Sequence, residues 1–126
     1  MEQRIIKFKA KRLDNGEWLE GDLLHKGIRV FIYHPYINDK GFLIENVEVN
    51  PSTVCQFTGL KDREGKEIFE GDLLAEKGFP MYEVGYIDGE FAASYIGENT
   101  FIFKLYALSN DCVVCGSKYD RKEGGK

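Results

Sequence analysis

Glu17-Trp18-Leu19-Glu20-Gly21-Asp22-Leu23-Leu24 and Glu67-Ile68-Phe69-Glu70-Gly71-Asp72-Leu73-Leu74 are one eight-residue phrase written twice, matching at six of eight positions and fifty residues apart. Each copy follows a turn-rich stretch, Asp14-Asn15-Gly16 in the first case and Asp62-Arg63-Glu64-Gly65 in the second. Gly21 and Gly71 supply backbone that is free to turn or bulge. Asp22 and Asp72 carry short carboxylates able to bond nearby amides, and each Leu pair opens a new apolar strand. A strand, a Gly-Asp kink and a second strand suit a small curved barrel, where glycine permits sharp bends. The repeat therefore predicts an internal duplication: a β lobe over 1–50, a second over 51–119 that shares its core, and a charged, Gly-rich tail over 120–126.

Outward from the repeat, the pattern is that of strands. Ile6, Phe8 and Ala10 alternate with Lys7, Lys9 and Lys11, the period of a half-buried strand. Asn15-Gly16 is a strong hairpin signal, because both residues tolerate positive φ. The return strand is predicted from Glu17 to about His25, and another from Ile28 to Tyr33, ended by His34-Pro35. Tyr36–Lys40 reads as a loop, Gly41–Val49 as a strand, and Val54–Phe57 as a short strand before a Thr58-Gly59 turn. Residues 81–87 and 90–95 form a predicted hairpin about Asp88-Gly89. Strands are expected over 100–108 and 112–115, with the best helical candidate beginning near Ser109. The expected class is all-β with one or two short helical turns.

Composition agrees with a folded protein of ordinary type. Of 126 residues, 43% are hydrophobic and 30% charged, and the 13% that are aromatic favour strands over helices. The net charge is −4: residues 1–60 carry eight cations and eight anions, and residues 61–126 nine against thirteen. That acidic balance argues against broad, salt-dependent nucleic-acid binding. No stretch has the length and apolarity of a membrane span, and the opening MEQRIIKFKAKRL carries no signal-type apolar run. Three cysteines are too few and odd in number for a disulfide framework, which points to reduced thiols in a cytoplasmic protein.

The block Val49-Asn-Pro-Ser-Thr-Val-Cys-Gln-Phe-Thr-Gly-Leu-Lys-Asp-Arg-Glu-Gly-Lys-Glu-Ile-Phe-Glu-Gly-Asp-Leu-Leu74 resembles the signature of the YopX family of phages and prophages. Ile6–Ala10 and Asp14–Trp18 are similar to the family's opening, and Val113–Asp120 to its closing segment. Cys55 stands where the family usually has Gly, Cys115 where it usually has Ile, and the polar tail after Asp120 departs from the usual ending. The resemblance implies an SH3-like β-barrel and a phage or prophage origin. It implies no reaction.

Each residue group with chemical potential also has a plain structural reading. Cys112-Val-Val-Cys115 has the spacing of half a zinc site, with His25 and His34 the available histidines and no second pair to complete it. Buried free cysteine explains the same residues. Cys55 has no partnering base in the sequence. Glu20 with Asp22, and Glu70 with Asp72, could act as acid and base or hold a hard cation, but turn chemistry accounts for aspartates beside glycine. Lys7, Lys9 and Lys11, with Arg4 and Arg12 nearby, could meet phosphates alongside Tyr33, Tyr36 and Phe42, or be the solvated face of an amphipathic strand. No catalytic, cofactor-binding or metal residue is assigned. The sequence favours a non-catalytic binding or assembly module, a homo-oligomer or a partner of a host or phage protein. The alternative is a small-barrel nucleic-acid binder using Lys7, Lys9 and Lys11, and an enzyme or metal protein is a distant third.

Overall fold

A computed structural model describes residues 3–97 and 102–120. Their strands form two antiparallel sheets, with one short helix. The chain divides into two units, residues 1–57 and 58–126.

In the first unit, the alternation around Phe8 becomes β1 (Phe8–Lys11), which turns through Asn15-Gly16 into β2 (Trp18–Lys26). The Gly16 amide donates to the Arg12 carbonyl at 2.9 Å, and Asn15 Oδ1 accepts the Glu17 amide at 2.9 Å. β3 (Arg29–Ile37), β4 (Leu43–Val49) and the start of β5 (Cys55–Lys61) complete the order β4-β3-β2-β1-β5. One face carries Ala10, Val30, Ile32 and Val49 into a buried cluster, with Phe8, Leu19, Leu23 and Val54 packed on it. The cross-strand register puts Lys9 and Lys11, Trp18, Glu20, Asp22 and Leu24, and Phe31 and Tyr33 on the opposite face. At the far end of β4, Leu13 donates to the Glu48 carbonyl (3.2 Å), Asn50 donates to that of Lys11 (2.8 Å), and Arg12 and Val49 form a single bridge. One bridge is not a ladder, and among the described residues this sheet does not close along its length.

β3 does not end at His34-Pro35 as expected. It continues to Ile37 because the register to β4 shifts between Tyr33 and Tyr36, a bulge that holds the proline where no ladder amide is required. Likewise Thr58-Gly59 is no turn between elements: β5 runs through it to Lys61, with Gly59 at φ 88°.

In the second unit, the end of β5 is followed by β6 (Glu67–Phe69), β7 (Asp72–Ala75), β8 (Tyr82–Ile87), β9 (Glu90–Tyr95) and β10 (Ile102–Lys104). The last strand is β11 (Val113–Ser117), and the sheet order is β10-β9-β8-β7-β11. The Asp88-Gly89 turn has positive φ at both residues (51° and 83°), as its sequence predicts. Ile68, Leu74, Tyr82, Val84, Ala93, Leu105, Cys112 and Val114 form the core. Tyr82 stacks on Tyr95 with ring centroids 5.1 Å apart and meets the edge of Phe103 at 5.7 Å. The strand expected over 100–108 is shorter than its composition suggested. Thr100 and Phe101 lie outside the described residues, and after Lys104 the chain enters α1 (Leu105–Leu108), then a 3-10 turn at Ser109–Asp111. Leu105 is 1% exposed, so its burial in the core accompanies the departure from the sheet.

The repeated phrase does not take one shape, contrary to expectation. Its first copy lies within the continuous strand β2, with Asp22 exposed. Gly21 marks the place where β2 hands its ladder from β1 to β3. A Cβ there would collide with the Tyr33 carbonyl oxygen and stand 2.9 Å from Ile32 Cγ2, so glycine permits close approach and not a turn. The second copy is the expected strand, kink and strand. Gly71 has φ 86°, its amide donates to Val84 and its carbonyl accepts from Lys118, while Asp72 Oδ2 accepts the Phe69 amide at 2.8 Å. Tertiary partners select between the two conformations that one phrase allows.

Gly21→Ala is expected to cost about 3 kcal/mol, since the clash is with backbone. Gly65→Ala, at φ 85° with open space around it, should cost about 1–2 kcal/mol of left-handed strain. Urea midpoints of the two variants against the parent chain measure the order; equal losses would contradict the close-packing role of Gly21.

Candidate functional site

A buried carboxylate lies in the block whose residues look most like a motif. Asp62 is 4% exposed. Its Oδ1 accepts the amides of Glu64 and Lys66, both at 2.8 Å, and its Oδ2 accepts that of Val114 at 2.8 Å. Burial pushes this carboxyl's pKa up, and the three amide bonds outweigh it, so the net shift is downward. An anion so fully engaged is a clamp between the 62–66 turn and β11 and has no capacity to shuttle protons. Sequence reasoning passed over Asp62 and dwelt on the neighbouring Glu70-Gly71-Asp72. Its cue was an Asp followed two residues later by Glu-Gly, an Asx-turn pattern.

The two carboxylate pairs part company. Glu20 lies 3.6 Å from Lys7 Nζ on an exposed surface, and Asp22 is exposed beside it on β2. Asp72 is buried inside the turn that it holds, with Glu70 half-buried next to it. Sequence-adjacent carboxylates thus serve an outer sheet face in one copy and a fold turn in the other.

The cysteines diverge as well. Cys112 is buried in the second unit's core, and burial, then the nearby carboxylates of Glu76 and Asp111, push its thiol up to about 11. It is therefore a neutral thiol at ordinary pH and a poor ligand or nucleophile. Cys115 is exposed on β11, its thiol directed at the Leu73 carbonyl (3.4 Å) and 3.8 Å from Met81 Sδ. Cys55 is buried, its thiol directed at the Thr53 carbonyl at 3.2 Å. Among the described residues no three or more His, Cys, Asp or Glu side chains gather where they could hold a metal ion. His34 spends Nδ1 on the Glu20 carbonyl at 2.9 Å.

The lysine stripe is embedded among rings. Lys9 and Lys11 lie 4.6 and 5.4 Å from the Trp18 centroid, and Lys7 lies 5.3 Å from that of Phe57. Phe31 is flanked by Lys26 and Arg29 at 5.6 and 5.1 Å, and Arg29 also binds Glu48 through two hydrogen bonds. Arg12 lies 5.6 Å from the Tyr36 ring while donating twice to Asp14. Contacts of this kind stabilise by about 0.5–1 kcal/mol each at exposed sites and let long aliphatic stems cover apolar surface.

Three exposed apolar side chains of the first unit lie at the end of the β3–β4 hairpin. Ile37, Phe42 and Leu43 are 63%, 64% and 58% exposed, with Ile37 and Leu43 opposite each other in register. The turn between them is braced: Asn38 Oδ1 accepts the amides of Lys40 and Phe42 at 3.0 and 2.9 Å, and the Asn38 amide donates to the Phe42 carbonyl. Tyr36, by contrast, is half-buried against Arg12, and Tyr33 is 45% exposed on the sheet face.

Compared with known proteins, the sequence matches the family described as YopX protein over residues 7–123. A solved structure described as crystal structure of protein EF1440 from Enterococcus faecalis aligns with a TM-score of 0.57 and 24% identity. The alignment covers 98% of this chain and 100% of that one, a likeness of fold. No curated protein matches.

Asp62→Asn keeps an oxygen for two amides and sets an NH2 against the Val114 amide. It should lose about 2–4 kcal/mol at neutral pH. Because the folded carboxyl titrates below its ordinary value of about 3.9, the wild-type advantage should be complete above that value and disappear as pH falls through the lower, folded one. Urea unfolding across the acid range checks it; a gap that is constant with pH would refute the clamp. For the thiols, native maleimide labelling should modify Cys115 rapidly and leave Cys55 and Cys112 protected until the protein is denatured.

Proposed function

The chain belongs to the YopX family, and from that premise we propose that it is a non-catalytic binding module whose contact surface is the end of the β3–β4 hairpin. The observation that carries this reading is the exposure of Ile37, Phe42 and Leu43 together on a braced turn. Apolar side chains of this size held rigidly in water are costly to solubility and favour a partner surface. A second consideration supports it. Residues of the family-like block are engaged in folding: Asp62 and Asp72 accept backbone amides, and Gly71 adopts a left-handed turn.

The architecture we read more finely as SH3-like in the second unit. Support comes from the order β10-β9-β8-β7-β11, in which the last strand arrives from a 3-10 turn to pair with the first of the five. In the first unit the Arg12–Val49 bridge is a start toward closure. A phage or prophage origin and a cytoplasmic setting belong to the same reading, and three cysteines outside any disulfide suit a reducing compartment.

One observation favours a second reading, a single-stranded nucleic-acid face: Trp18, Phe31 and Tyr33 share the outer side of the sheet with Lys9, Lys11, Lys26 and Arg29. Stacking surfaces with interleaved cations suit bases and phosphates. Glu20, Asp22 and Glu48 on that same side oppose it.

A photoreactive phenylalanine analogue at position 42 should form protein adducts in the producing cell, and the same probe at exposed Asn110 should form markedly fewer. Adducts that vanish on nuclease treatment would transfer support to the second reading. Equal labelling at both positions would remove the hairpin end as the contact surface.

A further inference from the structure

A binding role at the hairpin end calls for an occupant, and the strand beside it has the form of one half of a pair. Resting on that role, we propose that the partner is a second copy of this chain, joined antiparallel along the first half of β4. β4 is the terminal strand of its sheet. Its last residues are covered by the chain at 11–13, through the Glu48 carbonyl and the Arg12–Val49 bridge. Leu43–Val47 have β3 on one side and, among the described residues, no strand on the other. Edge strands are usually blunted by proline, lysine or a bulge. This stretch has no proline and no lysine, its one charge is Glu45, and the extra residue of its ladder lies in β3.

A two-fold axis through Ile44 makes the edge self-complementary. Antiparallel pairing about that axis sets Ile44 opposite the partner's Ile44, Leu43 opposite the partner's Glu45, and Phe42 opposite the partner's Asn46. No like charges face each other in this register, whereas an axis one residue further on would oppose the two Glu45 side chains. Charge permits the approach too. Residues 1–57 hold the same eight cations and eight anions counted over 1–60, so two copies meet through neutral units while the excess of −4 lies beyond residue 60.

The expected strength follows from area. Ile37, Phe42 and Leu43 each offer on the order of 100 Å², so two copies cover roughly 600–800 Å² of side chain and reach the lower limit near 1,000 Å² once the strands pair. The Asn38 brace fixes the turn beforehand and reduces the ordering cost. A weak dimer, with a dissociation constant in the micromolar range, is the outcome.

Light scattering and sedimentation of the full chain should show a mass rising from 14.4 kDa toward twice that value as concentration passes through tens of micromolar, roughly. Phe42→Lys, and Leu43→Glu, which faces the partner's Glu45 with like charge, are at exposed positions and should stay monomeric at tenfold higher concentration with unchanged circular dichroism and melting. In a Cys115→Ser background, Ile44→Cys should cross-link to itself on mild oxidation and Glu48→Cys should not. A wild-type chain that is monomeric throughout overturns self-pairing; the binding role then survives if the photoreactive probe at position 42 still captures a different protein, and fails with it if no adduct forms. A dimer that persists in Phe42→Lys, with no Ile44→Cys cross-link, places the interface elsewhere and also overturns it.

Discussion

A carboxylate removed from water must be given donors, and the second unit is arranged around meeting that demand at Asp62. Three backbone amides, two from its own turn and one from β11 fifty-two residues further on, converge on the two oxygens. The constraint is mutual: the turn cannot relax without leaving the charge unpaired, and β11 cannot slide without leaving the Val114 amide unmet. β11 in turn supplies Val114 to the core, and the Gly71 carbonyl accepts the amide of Lys118 just beyond that strand. The 62–72 segment is therefore fixed at two places by partners distant in sequence. Much of a block that looks like a family signature is explained by these demands of the backbone.

The architecture was legible where a short-range rule had no competitor. Asp88-Gly89 turns with both residues at positive φ, Asn15-Gly16 turns with Gly16 alone there, and the Phe8–Lys11 alternation does place Ala10 in a core. It was not legible where distant partners decide. The eight-residue phrase is compatible with both a flat strand and a kink. Its first copy is held flat because β1 and β3 flank it successively; its second is bent because Asp72 can reach the Phe69 amide. Pro35 misled for the same reason, since a bulge supplied by register with β4 is invisible in the local sequence. Leu105, read as the continuation of a strand, lies buried at the start of a helix.

The candidate site divides along similar lines. That Cys112 and Cys115 lie in different environments, one in the core and one exposed, follows from strand alternation, which turns residues three apart to opposite faces. The lysine stripe was recognised as one strand face. Its pairing with Trp18 was not, because the ring comes from the next strand and meets it only through the β1–β2 register. Phe42 was grouped with Tyr33 and Tyr36, of which Arg12 takes up one, and its neighbours Ile37 and Leu43 come beside it only through the β3–β4 register. In the last two cases the residue type was visible and its neighbour was not.

The contrast between the units gives the exposed hairpin end its meaning. Among the described residues, eight buried side chains and five packed beside them form the second unit's cluster; four and four form the first unit's, with Val47, Cys55 and Phe57 buried outside it. A small sheet with so modest a centre depends on its outer side, where cations lie over Trp18, Phe31, Tyr36 and Phe57 and shield those rings from water. Phe8 packs on the core instead, and Tyr33 carries a hydroxyl that water can satisfy. Phe42 has neither device, yet its amide is bonded to Asn38 and its position is fixed. A unit that covers its other rings and rigidly presents this one is built, on the reading proposed here, to have it covered from outside.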